Sequence, residues 1–305
     1  MGRIDDAMRR AAEERRTGTE PVSAPVTVET FPAEAAESAV SELLDGGEPL
    51  GGSAAPLPTA GEHDAAHSLI QRLSASLAQK IVVDEKTTQL SREQYRKLAA
   101  TLHQNQAVSG LKVVMIASAM AGEGKTLTSS NLALTLSESY KRRVLLIDGD
   151  LRRPSLHTLF GIDGGLGLGE GLHAENDRRF AVHEVTPHLM VLPAGRPSLD
   201  PMAGLTSDRM QRLIDEARTA FDWVIVDTPP VGLLPDGHLL TSMVDGVLLV
   251  VKAGDTPYSI VQRALESLGR DKILGVVLNQ AAEESAFAYY SYRYQYGTRP
   301  ETAAP

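Results

Sequence analysis

The sequence predicts an α/β fold, a mainly parallel sheet with helices on both faces, and three observations predict it. First, short runs rich in Val, Ile and Leu recur at Leu111–Ala117, Arg143–Ile147, Leu189–Leu192, Trp223–Val226, Gly246–Lys252 and Ile273–Leu278. Runs this short and this continuously apolar read as strands buried on both faces, the habit of parallel sheets. Second, helical patterns separate them, at Lys125–Tyr140, Ser207–Ala220, Gly237–Met243 and Ser259–Gly269. Strands alternating with helices imply crossover connections. Third, the first strand runs into a glycine-rich turn that opens a helix, A-M-A-G-E-G-K-T at Ala119–Thr126. Ligand sites in such sheets lie beyond the carboxyl ends of the strands, and the chemically suggestive residues gather there.

Composition bounds the rest. At 305 residues and 42% hydrophobic content the chain can bury a sizeable core. A formal net charge of -9 argues against nucleic acid as a partner. The absence of cysteine excludes disulfides and thiolate metal sites, and fits a cytoplasmic setting. The opening M-G-R-I-D-D-A-M-R-R has no apolar stretch and does not read as a secretion signal. The longest apolar runs, such as Val247–Val251, fall short of the roughly 18 to 20 residues of a membrane helix. The expectation is a soluble, cytoplasmic chain.

In chain order, residues 3–16 read as a short charged helix with Ile4, Ala7, Met8, Ala11 and Ala12 on one face. It is either a frayed end or a segment that folds on a partner. From Thr17 to His63, prolines, paired glycines and acidic residues accumulate without Lys or Arg. This predicts a disordered acidic linker, with room for a small helix at Ala33–Leu44. A folded domain is expected over 64–285. It opens with Leu69, Ile70, Leu73, Leu77 and Ile81 at helical spacing. A second helix follows over Ser91–Gln104, with Tyr95, Leu98 and Leu102 on one side. A tyrosine-rich tail, 286–305, completes the chain.

The glycine-rich turn fits a phosphate-binding loop. Gly122 and Gly124 let the backbone curl so that successive N–H groups point at phosphate oxygens. The helix start adds partial positive charge. Ala121, Gly122, Glu123, Gly124, Lys125, Thr126 and Leu127 would line the phosphates of ATP. Lys125 would reach the β- and γ-phosphates and the Thr126 hydroxyl would hold Mg²⁺.

Two acidic strand ends accompany the loop. In V-L-L-I-D-G-D-L-R-R-P, Val144–Pro154, an apolar strand ends at Asp148 and Asp150 follows. Carboxylates there can hold a metal or accept a proton from an attacking hydroxyl; alternatively they are turn residues. In D-W-V-I-V-D-T-P-P-V, Asp222–Val231, Asp227 ends a strand suited to bind Mg²⁺ through water. Arg152 and Arg153 are placed to meet phosphate, an acidic peptide or solvent. Trp223 reads as core, and the eight histidines show no metal-ligand spacing. Glu170, Glu283 and Glu284 have no evident partner. In the tail, Tyr289, Tyr290, Tyr292, Tyr294 and Tyr296 alternate as a strand with an aromatic face would. They also form a string of phenols beside an ATP site. The acceptor reading is preferred because the segment follows the last core strand and lacks core-forming residues. Each phosphate would add roughly -1.5 to -2 charges.

At this point the chain resembles the bacterial tyrosine kinases of the phosphate-loop type, the autokinases of capsule and exopolysaccharide loci. The resemblance covers Glu93 to Tyr296. It rests on S-A-M-A-G-E-G-K-T at Ser118–Thr126, L-L-I-D-G-D-L-R-R-P at Leu145–Pro154, L-P-A-G at Leu192–Gly195, V-I-V-D-T-P-P-V at Val224–Val231, G-V-V-L-N at Gly275–Asn279, and the tyrosine tail. The opening G-R-I-D-D-A-M-R-R-A is similar to the start of soluble autokinases linked to exosortase loci. The resemblance implies a P-loop NTPase fold shared with partition ATPases, with ATP and Mg²⁺ as cofactors. It implies that Lys125, Asp148, Asp150 and Asp227 form the catalytic set, one of the first two aspartates deprotonating the attacking tyrosine. Thr126, Asp148 and Asp227 would hold the metal, and Asn279 would contact adenine. It further implies autophosphorylation of the tail tyrosines between subunits of a homo-oligomer, reversed by a cognate phosphatase. A membrane-spanning chain-length regulator, the polysaccharide co-polymerase, would be a separate chain recruiting the kinase to the inner face of the membrane.

Two departures bear on this. Ala121 stands where the family often has Pro. The ring-forming pattern of Glu, Arg and Arg at three-residue intervals is matched by Glu93 and Arg96, while Ala99 takes the last position. The rival readings are a partition or cell-division ATPase switch and an ATP-binding assembly factor for polysaccharide export. A partition ATPase carries an extra Lys where Met120 stands here.

Overall fold

A computed structural model describes residues 27–30, 81–82, 89–173, 180–198, 200–231 and 236–281. Its described strands form one sheet in the order β1-β8-β7-β2-β6-β3-β5-β4. These are β1 (Thr27–Thr30), β2 (Val113–Ser118), β3 (Val144–Asp148), β4 (His183–Thr186), β5 (Leu189–Leu192), β6 (Trp223–Asp227), β7 (Gly246–Lys252) and β8 (Ile273–Asn279). The six strands from β8 to β5 pair in parallel, and β1 and β4 close the edges antiparallel. The parallel strands coincide with the apolar runs of the sequence to within two residues.

Side chains alternate across the pleat, so each strand feeds two cores. On one face Val114, Ile116, Val144, Leu146, Trp223, Ile225 and Val250 pack under α1 (Gln89–Ser109), α2 (Lys125–Leu134) and α3 (Leu156–Phe160). Tyr95, Leu98 and Leu102, the predicted inner side of α1, are all buried there. On the other face Met115, Ile147, Val224, Val226 and Leu249 meet α6 (Asp208–Ala220) and α8 (Tyr258–Leu268). The short helices α4 (Leu168–His173), α5 (Pro201–Leu205) and α7 (Asp236–Thr241) cover the same side, through Leu168, Leu205 and Leu240.

Three differences from the sequence reading have physical causes. Thr27–Thr30, inside the stretch expected to be disordered linker, pairs antiparallel with β8, Thr27 facing Leu278 and Thr30 facing Gly275. Its β-branched residues suit a strand, and without it β8 would leave an edge of unpaired backbone groups. The helix expected over Lys125–Tyr140 stays α-helical to Leu134, then widens into a π-turn over Thr135–Ser139. There the Thr135 hydroxyl donates to the Asn131 carbonyl at 2.7 Å. The elements α3, α4, α5 and β4 have only four to six residues each, too few to print a period. The residue 3–16 helix, the Ala33–Leu44 helix, the first domain helix before Ile81 and the tyrosine tail lie outside the described residues.

Candidate active site

Parallel pairing brings the strand ends to one edge. Asp148 sits level with Asp227, and Lys252 with Asn279. The phosphate loop leaves β2 between them. Gly122 and Gly124 have φ of 83° and 93°, backbone conformations that disfavour other residues. A Cβ at Gly124 would collide with the Asn279 amide. Lys125 is 8% exposed, and its ammonium donates to Ser118 Oγ at 2.9 Å. Burial lowers its pKa, against the pull of Asp227, Asp150 and Glu123. A desolvated cation with one light partner is ready for phosphate.

Thr126, Asp148, Asp150 and Asp227 come together at this edge. The Thr126 hydroxyl donates to Asp227 Oδ2 at 2.7 Å and lies 3.2 Å from Ser155 Oγ. Asp227 is 1% exposed, and burial first, then the Asp148 charge, pushes its pKa up to about 7. Its Oδ1 is buried with no hydrogen-bond partner. Asp148 is fully buried. Its Oδ2 accepts the N–H groups of Ser155 and Leu156, each at 3.0 Å, and its Oδ1 that of Asp150 at 3.2 Å. Burial raises its pKa to about 6 against those three bonds. Asp150 is partly exposed. Among the described residues only its Oδ1 is engaged, by the N–H groups of Arg152 and Arg153 at 3.3 and 2.9 Å. Its pKa is raised too, by burial.

The donor set fits Mg²⁺ beside a nucleotide. Among the described residues no cluster of three or more His, Asp or Glu could chelate a metal unaided, and Mg²⁺ typically takes one or two carboxylates, phosphate and water. The orphaned Asp227 Oδ1 and the Thr126 hydroxyl beside it are the atoms such an ion and its waters would satisfy. Asp148, committed to backbone N–H groups, fits a metal less well.

Bonds to the loop and to neighbouring turns hold other residues around this edge. Asn279 donates through Nδ2 to the Glu123 carbonyl at 2.8 Å and accepts the Gln280 N–H at 3.0 Å; its amide is engaged with the loop. Glu170 has partners after all. It accepts the N–H groups of Gly167 and Arg196 at 3.0 and 2.9 Å, bracing the L-P-A-G turn. Ser155 and Thr256 carry contacts at this edge that no motif position announces. Arg96 is exposed and Glu93 half-buried, and they bond each other at 2.6 Å, while Ala99 is buried in the core. The tail tyrosines lie outside the described residues.

Residues 114–292 match the CobQ/CobB/MinD/ParA nucleotide-binding domain. The chain is 33% identical to the tyrosine-protein kinase YwqD of Bacillus subtilis (strain 168) over 228 residues, 73% of this chain and 96% of that protein. The chain belongs to the bacterial tyrosine-protein kinases. The tyrosine-protein kinase CpsD of Streptococcus agalactiae is 35% identical over 192 residues, 62% of this chain and 82% of that one. The kinase domain of the Escherichia coli tyrosine kinase ETK superposes with a TM-score of 0.60 at 29% identity, covering 71% of this chain and 80% of that one. Phosphoryl transfer calls for groups that hold the phosphates, a metal and a residue that orients the acceptor; the loop, the buried Lys125 and the three aspartates are the candidates for those parts.

Proposed function

We propose that this kinase is an ATP- and Mg²⁺-dependent autokinase whose acceptors are its own C-terminal tyrosines, Tyr289, Tyr290, Tyr292, Tyr294 and Tyr296, reached between neighbouring subunits. The observation that carries the reading is the Thr126–Asp227 contact with Asp227 Oδ1 left unpartnered beside it. ATP with Mg²⁺ supplies the transferable phosphoryl group. Lys125 and the loop N–H groups hold its charge. Thr126 and Asp227 would hold Mg²⁺ and its waters. Asp150 is the base we favour over Asp148, because one of its oxygens is uncommitted and it is reachable. The tyrosine oxygen bonds to the γ-phosphorus as the bond to the ADP oxygen breaks, and the phenolic proton passes to the Asp150 carboxylate.

Incubation with labelled ATP, followed by phosphosite mapping, tests this. Phosphotyrosine is expected on 289–296, and Lys125→Met is expected to abolish it. No phosphotyrosine there, with the membrane partner present, sinks the autokinase reading in favour of an ATP-binding assembly factor. For the pathway, the succinoglycan biosynthesis transport protein ExoP of Rhizobium meliloti (strain 1021) is 35% identical over 239 residues, which are 74% of this chain and 30% of that protein. No described helix here is long and apolar enough to cross a membrane. The ExoP likeness supports a role in exopolysaccharide polymerisation and export; a membrane chain-length regulator as partner and a phosphatase that resets the tail complete the proposal.

A further inference from the structure

The phosphate-loop pattern leaves position 123 open to any residue, yet Glu123 is 2% exposed. Its carboxylate meets three donors. Oε2 accepts the Met120 N–H at 2.6 Å, within the loop itself. Oε1 accepts the Thr256 hydroxyl, and the Lys252 N–H at 3.4 Å, both from the segment where β7 ends. The Glu123 carbonyl accepts Asn279 Nδ2 at 2.8 Å, at the end of β8. The Asn279 carbonyl in turn accepts the Ala253 N–H at 2.8 Å. These bonds close a circuit from the loop to the end of β7, across to the end of β8 and back to the loop.

A buried carboxylate is costly unless its oxygens are fully met. An ionised carboxylate only accepts, so it suits a spot ringed by donors. A glutamine would turn N–H groups toward one of them, and an apolar residue would strand two backbone N–H groups. Packing alone would be served better by a hydrocarbon. The charge is kept where it sets the shape of the loop.

We propose that Glu123 is a positioning residue for ATP, fastening the phosphate loop to the ends of β7 and β8 so that the loop is already shaped for phosphate when nucleotide arrives. The inference rests on the nucleotide-binding reading above. A loop shaped in advance loses less freedom on binding. Removing the brace therefore weakens ATP binding more than it slows transfer.

Steady-state kinetics on the full chain test it. Glu123→Ala is expected to raise KM for ATP about tenfold or more, with kcat falling less than about threefold. Glu123→Gln recovers part of the loss. Thr256→Val raises KM on its own but adds nothing on top of Glu123→Ala, because the two act through one bond. If Glu123→Ala fails to fold, Glu123→Gln and Thr256→Val carry the test. Parental KM values in the variants that fold, or effects that simply multiply, overturn the proposal. Lys125→Met separates the two levels. If Lys125→Met still binds ATP and transfers phosphate as the parent does, the placing of the nucleotide on this loop fails. If Lys125→Met abolishes transfer while the brace variants keep parental KM, only the Glu123 inference fails.

Discussion

Asp227 shows how burial decides a side chain's chemistry. Its carboxyl, ordinarily near 4, is pushed to about 7 chiefly by burial. A group whose pKa is higher in the folded state favours folding while protonated. That contribution is complete below the unfolded pKa and is lost as pH rises through the folded one. In the metal-free protein Asp227 therefore costs stability progressively from about pH 4 to 7. Asp227→Asn, which cannot ionise, is expected to gain on the parent by about 3 kcal/mol between pH 5 and pH 8. Denaturant unfolding at the two pH values measures this. An unchanged difference means that Asp227 titrates normally. The residue types of the site were legible in the sequence, since Lys125, Thr126 and the three aspartates follow from motif spacing. Their protonation was not, because it depends on how much water the fold removes.

At the scale of elements, the longer helices and the parallel strands were legible because their patterns run for several residues. Helix α6 begins just inside the predicted Ser207–Ala220 pattern. Ser207 is the N-cap, accepting the Met210 N–H at 3.2 Å. Ser207→Ala is expected to cost about 1 kcal/mol, read as a lower denaturation midpoint at unchanged slope; no change would mean that solvent replaces the cap. The π-turn after α2 was not legible, since π and α helices share residue preferences and differ only in where hydrogen bonds close. Ala99 belongs here too. Its position on α1 faces the core, so of the three pattern positions only Glu93 and Arg96 present charge outward. A surface pair of that kind contributes at most about 1 kcal/mol, and any ring contact built on it needs further residues.

The whole molecule sets the last prediction. The described fold runs through β8, and every site contact named above lies within it. A form ending after Gln280 is expected to bind ATP as tightly as the full chain. Mixed with full-length Lys125→Met protein, it is expected to label the latter's tail. Loss of nucleotide binding would make the tail part of the fold, and absence of label would argue against transfer between subunits. The sequence by itself determined the α/β class, the loop and the acidic strand ends. Those are local matters: a strand needs a continuous apolar run, and a phosphate loop needs glycines at a set spacing. Only the tertiary structure decided that Asp227 keeps one oxygen unpartnered, that Asp148 is tied to backbone, and that Glu123 and Asn279 meet across the loop. Glu123 and Asn279 lie 156 residues apart in the chain, and residues so distant become neighbours only when parallel strands bring their carboxyl ends to the same edge.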